Sequence, residues 1–535
     1  TLSMEELKEC GAQGLITNSY IIYKNSELKT VAEKKGVHGL LNWDGPIMTD
    51  SGTFQSHVYG EIDMQPDEIL NFQKKIGVDI GTVLDVFCEP ETRFEDAKKE
   101  LEETQRRIEE SDKNKGSIFL AAPIQGGRHL DLRLKAAEMA SQTNAEVFPI
   151  GGVVPLMEKN NFEKLAEVII ASKKGLDISR PVHLFGCGHP MLFALASFLG
   201  CDLFDSSSYA KFASRDSLMF TWGTRNLEEL EEFPNEFSAA PGITINELKG
   251  MEKKKRQKII AKHNLIVSFT EIRRVKQAIH DGLLWELVEN RLRTSPALMK
   301  VFTILKKEMN WINEFEPAYR YKTPIKTGDE SDSRPIFSKL VNSFKSGEMN
   351  HPYFGKVPNH LSETYPFHPG LLQNDIEGWK MQNWDIERVR TILDYQFGKV
   401  IGKSFTKGKV ELVISKKTKR LRNLLLDEEH VASLSHRRGL FILQKKGAEL
   451  MHASSKSPKF RIVVNSETAE FNRKGKSVFC KFIEDIDSKL RCMDECIVVT
   501  PNDDLVAFGK LIVSPNELEL GQQGMAVRIR SGIEN

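Results

Sequence analysis

Three acidic residues stand where short apolar runs end: Asp50 in I-M-T-D-S-G, Asp85 in T-V-L-D and Asp205 in D-L-F-D-S-S. A set of carboxylates can divide the work at an anomeric carbon. One attacks the sugar and holds it as an ester, while another gives or takes a proton. An acid crowded against a second one has its proton affinity raised, which suits it to acid–base work. Polar residues and glycines share this placement: Ser51 and Gly52, Gln125 and Gly126, Gly151 and Gly152, Gly186 and Gly188. Glycine lets a flat ligand approach backbone amides closely. Singly, each residue has a plainer reading, because an Asp after a strand often caps the next helix. Only their order and common position at run ends set them apart.

Residues so placed need a scaffold that brings run ends together. The first half alternates apolar runs with helical patterns. The runs are Leu15 to Tyr20, Ile47 to Gly52, Val78 to Phe87, Ile118 to Gly126, Glu146 to Val154, Pro181 to Gly188 and Cys201 to Ser206. Between them lie stretches such as Phe94 to Ile108, with Phe94, Ala97, Leu101 and Ile108 at helical spacing. This alternation predicts an α/β fold with a parallel sheet, either open and doubly wound or closed into a TIM-type (β/α)8 barrel. Seven strand–helix units are present, and the chain opens on a helical stretch, Met4 to Gly11. A barrel of eight would therefore lack its first strand in this chain. In a barrel, all strand C-termini meet on one face, where Asp50, Asp85 and Asp205 would gather.

At 535 residues the chain is too long for a single core. Thr244-x-x-Glu247 reads as a capping box opening a long helical region that runs to about Glu316. Composition marks Lys322 to Pro335 as a linker. Residues 326–400 and 401–457 read as two α+β domains after a barrel domain spanning 1–325. The segment 458–535 carries β-rich runs (R-I-V-V, E-C-I-V-V, L-V-A-F-G-K-L-I-V, M-A-V-R-I-R) and reads as a small β-barrel. No apolar run is long enough to span a membrane, and no signal peptide opens the chain. Seven scattered cysteines without a C-x-x-C pair argue against a disulfide framework and fit a cytoplasmic protein. A net charge of +1 gives no global basic signature. The basic runs Lys253 to Lys258 and Lys416 to Arg422 read as solvated surface. His183 and His189 flank a run end and read as local hydrogen-bonding residues.

Six ordered motifs then carry a resemblance: T-D-S-G-T-F-Q (Thr49 to Gln55), D-I-G-T-V-L-D (Asp79 to Asp85), I-Q-G (Ile124 to Gly126), P-I-G-G-V-V-P-L (Pro149 to Leu156), H-L-F-G-C-G-H-P (His183 to Pro190) and D-L-F-D-S-S-S-Y-A (Asp202 to Ala210). They resemble the tRNA-guanine transglycosylase family, most closely its archaeal branch. The tail E-F-N-R-K-G-K-S-V-F-C-K-F (Glu470 to Phe482) resembles that family's PUA domain. The resemblance implies exchange of guanine at position 15 of tRNA for free 7-cyano-7-deazaguanine, in archaeosine biosynthesis. Asp205 matches the nucleophile and Asp50 the second catalytic carboxylate. Ser51, Phe54, Asp85, Gln125, Gly151, Gly152, Val153 and Val154 match positions around the incoming base. tRNA and guanine or 7-cyano-7-deazaguanine are the implied partners, and a homodimer is the family's usual state.

The family also carries a zinc site of C-x-C-x-x-C and a later histidine. Here Asn235, Phe237 and Ala240 stand in place of the cysteines, and only His263 remains. A tetrahedral structural site needs four ligands, so no metal and no other cofactor is expected. Two alternatives stay open. One is an archaeosine synthase-like paralogue, whose cysteine-bearing Lys-Pro-Tyr signature finds only His351-Pro352-Tyr353-Phe354-Gly355-Lys356 here. The other is a non-catalytic tRNA-binding subunit.

Overall fold

The computed structural model describes residues 2–53, 64–233, 239–317, 319–320, 328–334, 349–351, 355–361, 364, 383–520 and 524–534. Phe54, Asn235, Phe237, half of the expected linker and Pro352 to Phe354 lie outside them. The chain forms two compact units, Thr1–Ile304 and Leu305–Asn535.

Unit one is built on seven parallel strands: β1 (Leu15–Asn18), β2 (Ile47–Asp50), β3 (Ile80–Thr82), β4 (Phe119–Ala121), β5 (Phe148–Ile150), β6 (Val182–Leu184) and β7 (Leu203–Phe204). They follow one another in sequence order. β1 to β4 form one ladder, β5 to β7 another, and parallel bridges Ala121–Val147 and Ile124–Ile150 join the two. Ile16, Met48, Ile80, Ala121, Val147 and Phe185 pack together from these strands and the residues beside them. The interior is thus a packed core, as in a TIM-type barrel. No described strand pairs with the outer edges of β1 and β7. Those two strands hold no fully buried residue, whereas β2 to β6 each hold at least two. The seven expected units are all present, and among the described residues no eighth strand covers β1 and β7.

The strands are two to four residues long where the apolar runs reach nine or ten, because much of each run is the loop after the strand. Tyr20, placed by its run in the first strand, belongs to the helix Ser19–Lys24. The helices obey ordinary end rules. Pro66 sits in the first turn of Pro66–Lys75, where a missing N–H costs nothing, and Gln65 and Glu68 form a reciprocal cap. Phe94–Asn114 buries Ala97, Leu101 and Ile108 as their spacing predicts, but Phe94 is 39% exposed at its first turn. The Thr244–Glu247 capping box is present, yet it opens only Ile245–Gly250. The long helix begins afresh at Lys253 and runs to Asp281.

The basic run on that helix is partly committed internally: Arg256 pairs with Asp216 at 2.7 Å and Lys258 with Glu6 at 2.8 Å. In unit two, four antiparallel strands from Val410 to Leu443 form a meander, and Lys416 to Arg420 lie on its first turn, exposed apart from Ser415 before them. Six further strands form a mixed sheet. Its order is Val478–Phe479, Met525–Gly532, Leu505–Leu511, Glu495–Val499, Arg461–Val464 and Ile483–Ile486. These coincide with the β-rich runs of the tail. No described helix is long and apolar enough to cross a membrane.

Candidate active site

The parallel register sets where each functional side chain falls. Asn18 lies opposite Asp50 at the ends of β1 and β2, and His183 of β6 lies opposite Leu203 of β7. Asp85, Gln125, Gly151, Gly186 and Asp205 follow the C-terminal ends of β3, β4, β5, β6 and β7 in turn. They therefore come to the same end of the barrel.

Asp50 is half-buried. Asn18 Nδ2 donates to its Oδ2 at 2.8 Å, and the Gly52 amide faces its Oδ1 at 3.4 Å. Burial raises its pKa to about 6, and like-charge repulsion from Asp85 and Asp205 adds to the rise. Both other carboxylates thus lie within electrostatic reach of Asp50. Asp85 is buried, and burial raises its pKa as well. Gln125, also buried, donates from Nε2 to Asp85 Oδ2 at 2.5 Å. Its Oε1 has no hydrogen-bond partner among the described residues. A buried acceptor without a donor is costly, and a ligand donor would relieve it.

Asp205 is held from one side. His183 Nε2 and the Gly186 amide each stand 2.9 Å from its Oδ1, while Oδ2 has no hydrogen bond among the described residues. Burial of His183 is nearly complete. Its partner lies 22 residues away, so the expectation of purely local bonding does not hold. His189 is local through one nitrogen only: Nδ1 caps the helix Pro190–Phe198, while Nε2 meets Thr224 Oγ1, 35 residues away, at 2.9 Å.

The remaining predicted residues support this cluster. Ser51 is fully buried, and its hydroxyl donates to Val83 O at 3.1 Å, tying β2 to the loop that carries Asp85. Thr53 donates to Asp85 O. Val153 is buried, and Val154 opens the short helix Val154–Glu158. Arg133, which the sequence did not single out, is a fully buried cation. It donates to Ile124 O at 2.7 Å and Gly127 O at 2.9 Å, fixing the backbone around Gln125. Asn18 and Arg133 are neighbours of the cluster that sequence reasoning did not single out, and His183 was read only as a local hydrogen-bonding residue. The rule that selected Asp50, polarity at a run end, would also have selected Asn18.

Gly152 adopts φ +69°, and a Cβ there would stand 2.5 Å from Cys88 O. Gly152→Ala is therefore expected to destabilise the fold by about 1–3 kcal/mol and to displace Gln125, whose Oε1 would lie 3.1 Å from the new carbon. Chemical denaturation and an activity assay on the folded variant measure the two effects.

Ala240 and His263, the described positions among those matched to the zinc ligands, sit at a separate core. Strands β8 (Ser217–Phe220) and β9 (Gly223–Asn226) form a hairpin there, and Leu218, Phe220, Leu227, Ile245, Leu248 and Ile260 pack together. Ala240 lies against this core. His263 meets the edge of Phe220 at 5.4 Å, and burial lowers its pKa to about 4. One imidazole without thiolates does not fit a structural zinc. No described group of three or more His, Cys, Asp or Glu is placed to hold a metal. A strong chelator is expected to leave the melting temperature unchanged. A drop of several degrees, restored by zinc, would contradict this reading.

A barrel of parallel strands with carboxylates gathered at the strand C-termini is the layout of a TIM-barrel-type enzyme. Comparison with known proteins narrows the class. Residues 1–297 match the queuine tRNA-ribosyltransferase family, 387–458 the patch-forming domain C2 of tRNA-guanine transglycosylase, and 460–533 the PUA domain. The chain belongs to the queuine tRNA-ribosyltransferase family and is a pentosyltransferase. It is 41% identical to the tRNA-guanine(15) transglycosylase of Thermococcus onnurineus, over 100% of this chain and 93% of that protein. It is 41% identical to the Pyrococcus furiosus protein of that name, over 99% and 91% of the two chains. The Methanocaldococcus jannaschii counterpart is 38% identical over 98% and 92%.

Proposed function

We propose that this enzyme exchanges guanine at position 15 of tRNA for free 7-cyano-7-deazaguanine, through an ester between Asp205 and the ribose. The paired states of the carboxylates are the observation that carries this reading: Asp205 is oriented through one oxygen with the other open, and Asp50 is raised to about 6. In the first half, Asp205 Oδ2 bonds to C1′ as the glycosidic bond breaks. The bonding pair leaves with guanine, and Asp50 supplies the proton that guanine takes. In the second half, the incoming base gives its ring N–H proton to Asp50 and attacks C1′. The C1′–Oδ2 pair then returns to the carboxylate. An acid near pKa 6 can serve both directions close to neutral pH.

Asp85 and the unpartnered Gln125 Oε1 suit the N–H donors of a guanine-like edge, with Gly151 and Gly152 close by. Phe54 is proposed to stack on the base. The relatives' printed names specify guanine at position 15. The PUA tail exposes Phe471 and Phe479 among Lys474, Lys476 and Lys481, a mixture suited to RNA phosphates and bases. The test is incorporation of labelled guanine into tRNA, with the modified nucleotide mapped by digestion. Label at position 15 is expected, and competition by 7-cyano-7-deazaguanine should suppress it. Absence of label from the whole tRNA would remove the proposal.

A further inference from the structure

We infer that His183 is a positioning residue for Asp205, one that selects which carboxylate oxygen attacks and helps that carboxylate depart again. The inference rests on the reading of Asp205 as nucleophile. Two donors, His183 Nε2 and the Gly186 amide, converge on Oδ1 at 2.9 Å each. No described group bonds Oδ2, so only that oxygen has a lone pair free of donors for the sugar.

The ring is itself fixed. His183 lies within β6, in register with Pro149 of β5 and Leu203 of β7. It is 3% exposed, and its edge contact with Phe185 has a centroid separation of 4.7 Å. Phe185 belongs to the packed interior with Met48, Ala121 and Val147. Nδ1 has no hydrogen-bond partner among the described residues. The tautomer with its proton on Nε2 therefore satisfies the geometry, since the alternative would bury an N–H without an acceptor and turn a lone pair toward the carboxylate. A backbone amide and a buried, unbranched ring leave Asp205 little freedom to rotate.

The chemistry follows from where charge moves. In the free enzyme, negative charge is shared by both oxygens. In the ester, Oδ2 is bonded to C1′ and Oδ1 is a neutral carbonyl oxygen. When the incoming base attacks, the C1′–Oδ2 pair returns and charge grows again on Oδ1, directly before two N–H donors. These donors act as an oxyanion hole for the leaving carboxylate. Positioning favours formation of the ester, and the donors' electrostatics favour its breakdown.

The test compares His183→Phe, which keeps an aromatic ring and removes the donor, with His183→Gln, whose amide nitrogen falls near the position of Nε2. His183→Phe is expected to lower kcat on the order of 10²-fold with KM for tRNA unchanged. It should also raise the share of enzyme held as a denaturation-resistant tRNA adduct at steady state. His183→Gln should stay within about tenfold of the original enzyme. Melting temperatures of both report folding, and His183→Leu replaces the Phe variant if that one does not fold. A structural role alone would not raise the adduct share or be relieved by Gln. Unchanged kcat in the Phe variant, equal losses in both variants, or an adduct share that does not rise would each overturn the inference. If Asp205→Ala kept its exchange activity, the nucleophile assignment would fail instead.

Discussion

Asp205→Ala is expected to abolish base exchange, with a loss on the order of 10⁴-fold or more. The loss is large because the aspartate is the atom donor for a bond that must form and break in every turnover. No neighbour is placed to substitute. Asp50 ends β2 and Asp85 follows β3, away from β7, and Asp85 is already engaged by Gln125. Removal of the carboxylate leaves the donors on His183 and Gly186 without their acceptor. That costs about 1–3 kcal/mol of stability, too little to unfold a two-unit enzyme, so the variant should remain folded and bind tRNA. Activity is read as guanine incorporation, tRNA binding by gel shift and folding by circular dichroism. Retained exchange, or loss of exchange together with loss of fold, would remove the support for the assignment.

Asp50→Asn is expected to lower exchange by about 10²–10⁴-fold and to change its pH dependence. With the carboxyl near 6, the first half-reaction needs the protonated form and should slow as pH rises through about 6. The amide cannot supply that proton, so the variant's residual rate should lack this limb. The same substitution has an opposite effect on stability. A folded-state pKa above the ordinary carboxylate value of 3.8 contributes stability below that value, and the contribution is lost as pH rises through about 6. Above pH 6 the charged Asp50 therefore burdens the fold, by at most about 3 kcal/mol and less where water screens it. Asp50→Asn should melt at a higher temperature than the original protein at pH 8, and the gap should close at pH 4. A rate that keeps its alkaline decline in the variant would assign that titration to another group.

The carboxylates were legible because a parallel barrel needs no side-chain detail to bring strand ends together. Asp50, Asp85 and Asp205 could be placed on one face once the runs before them were read as strands in order. The strand lengths were not legible. In Val78 to Phe87, only Ile80–Thr82 is strand, and the apolar residues after it line the loop that carries Asp85. Nor was the pairing of His183 with Asp205, which depends on the register between β6 and β7. Arg133 was hidden for a different reason. Its charge suggests a solvent face, whereas two backbone carbonyls hold it inside. The capping box at Thr244 gave a correct helix start but no length, since Met251 and Glu252 interrupt the helix before Lys253.

The most direct measurement is to mix the enzyme with tRNA in the absence of a free base, denature the mixture and map any covalent adduct by mass spectrometry of peptides. A nucleotide-bearing adduct on the peptide that carries Asp205, discharged by adding guanine and absent from Asp205→Ala, is the predicted result. An adduct on another residue, or efficient exchange with no adduct at any time point, would contradict the account.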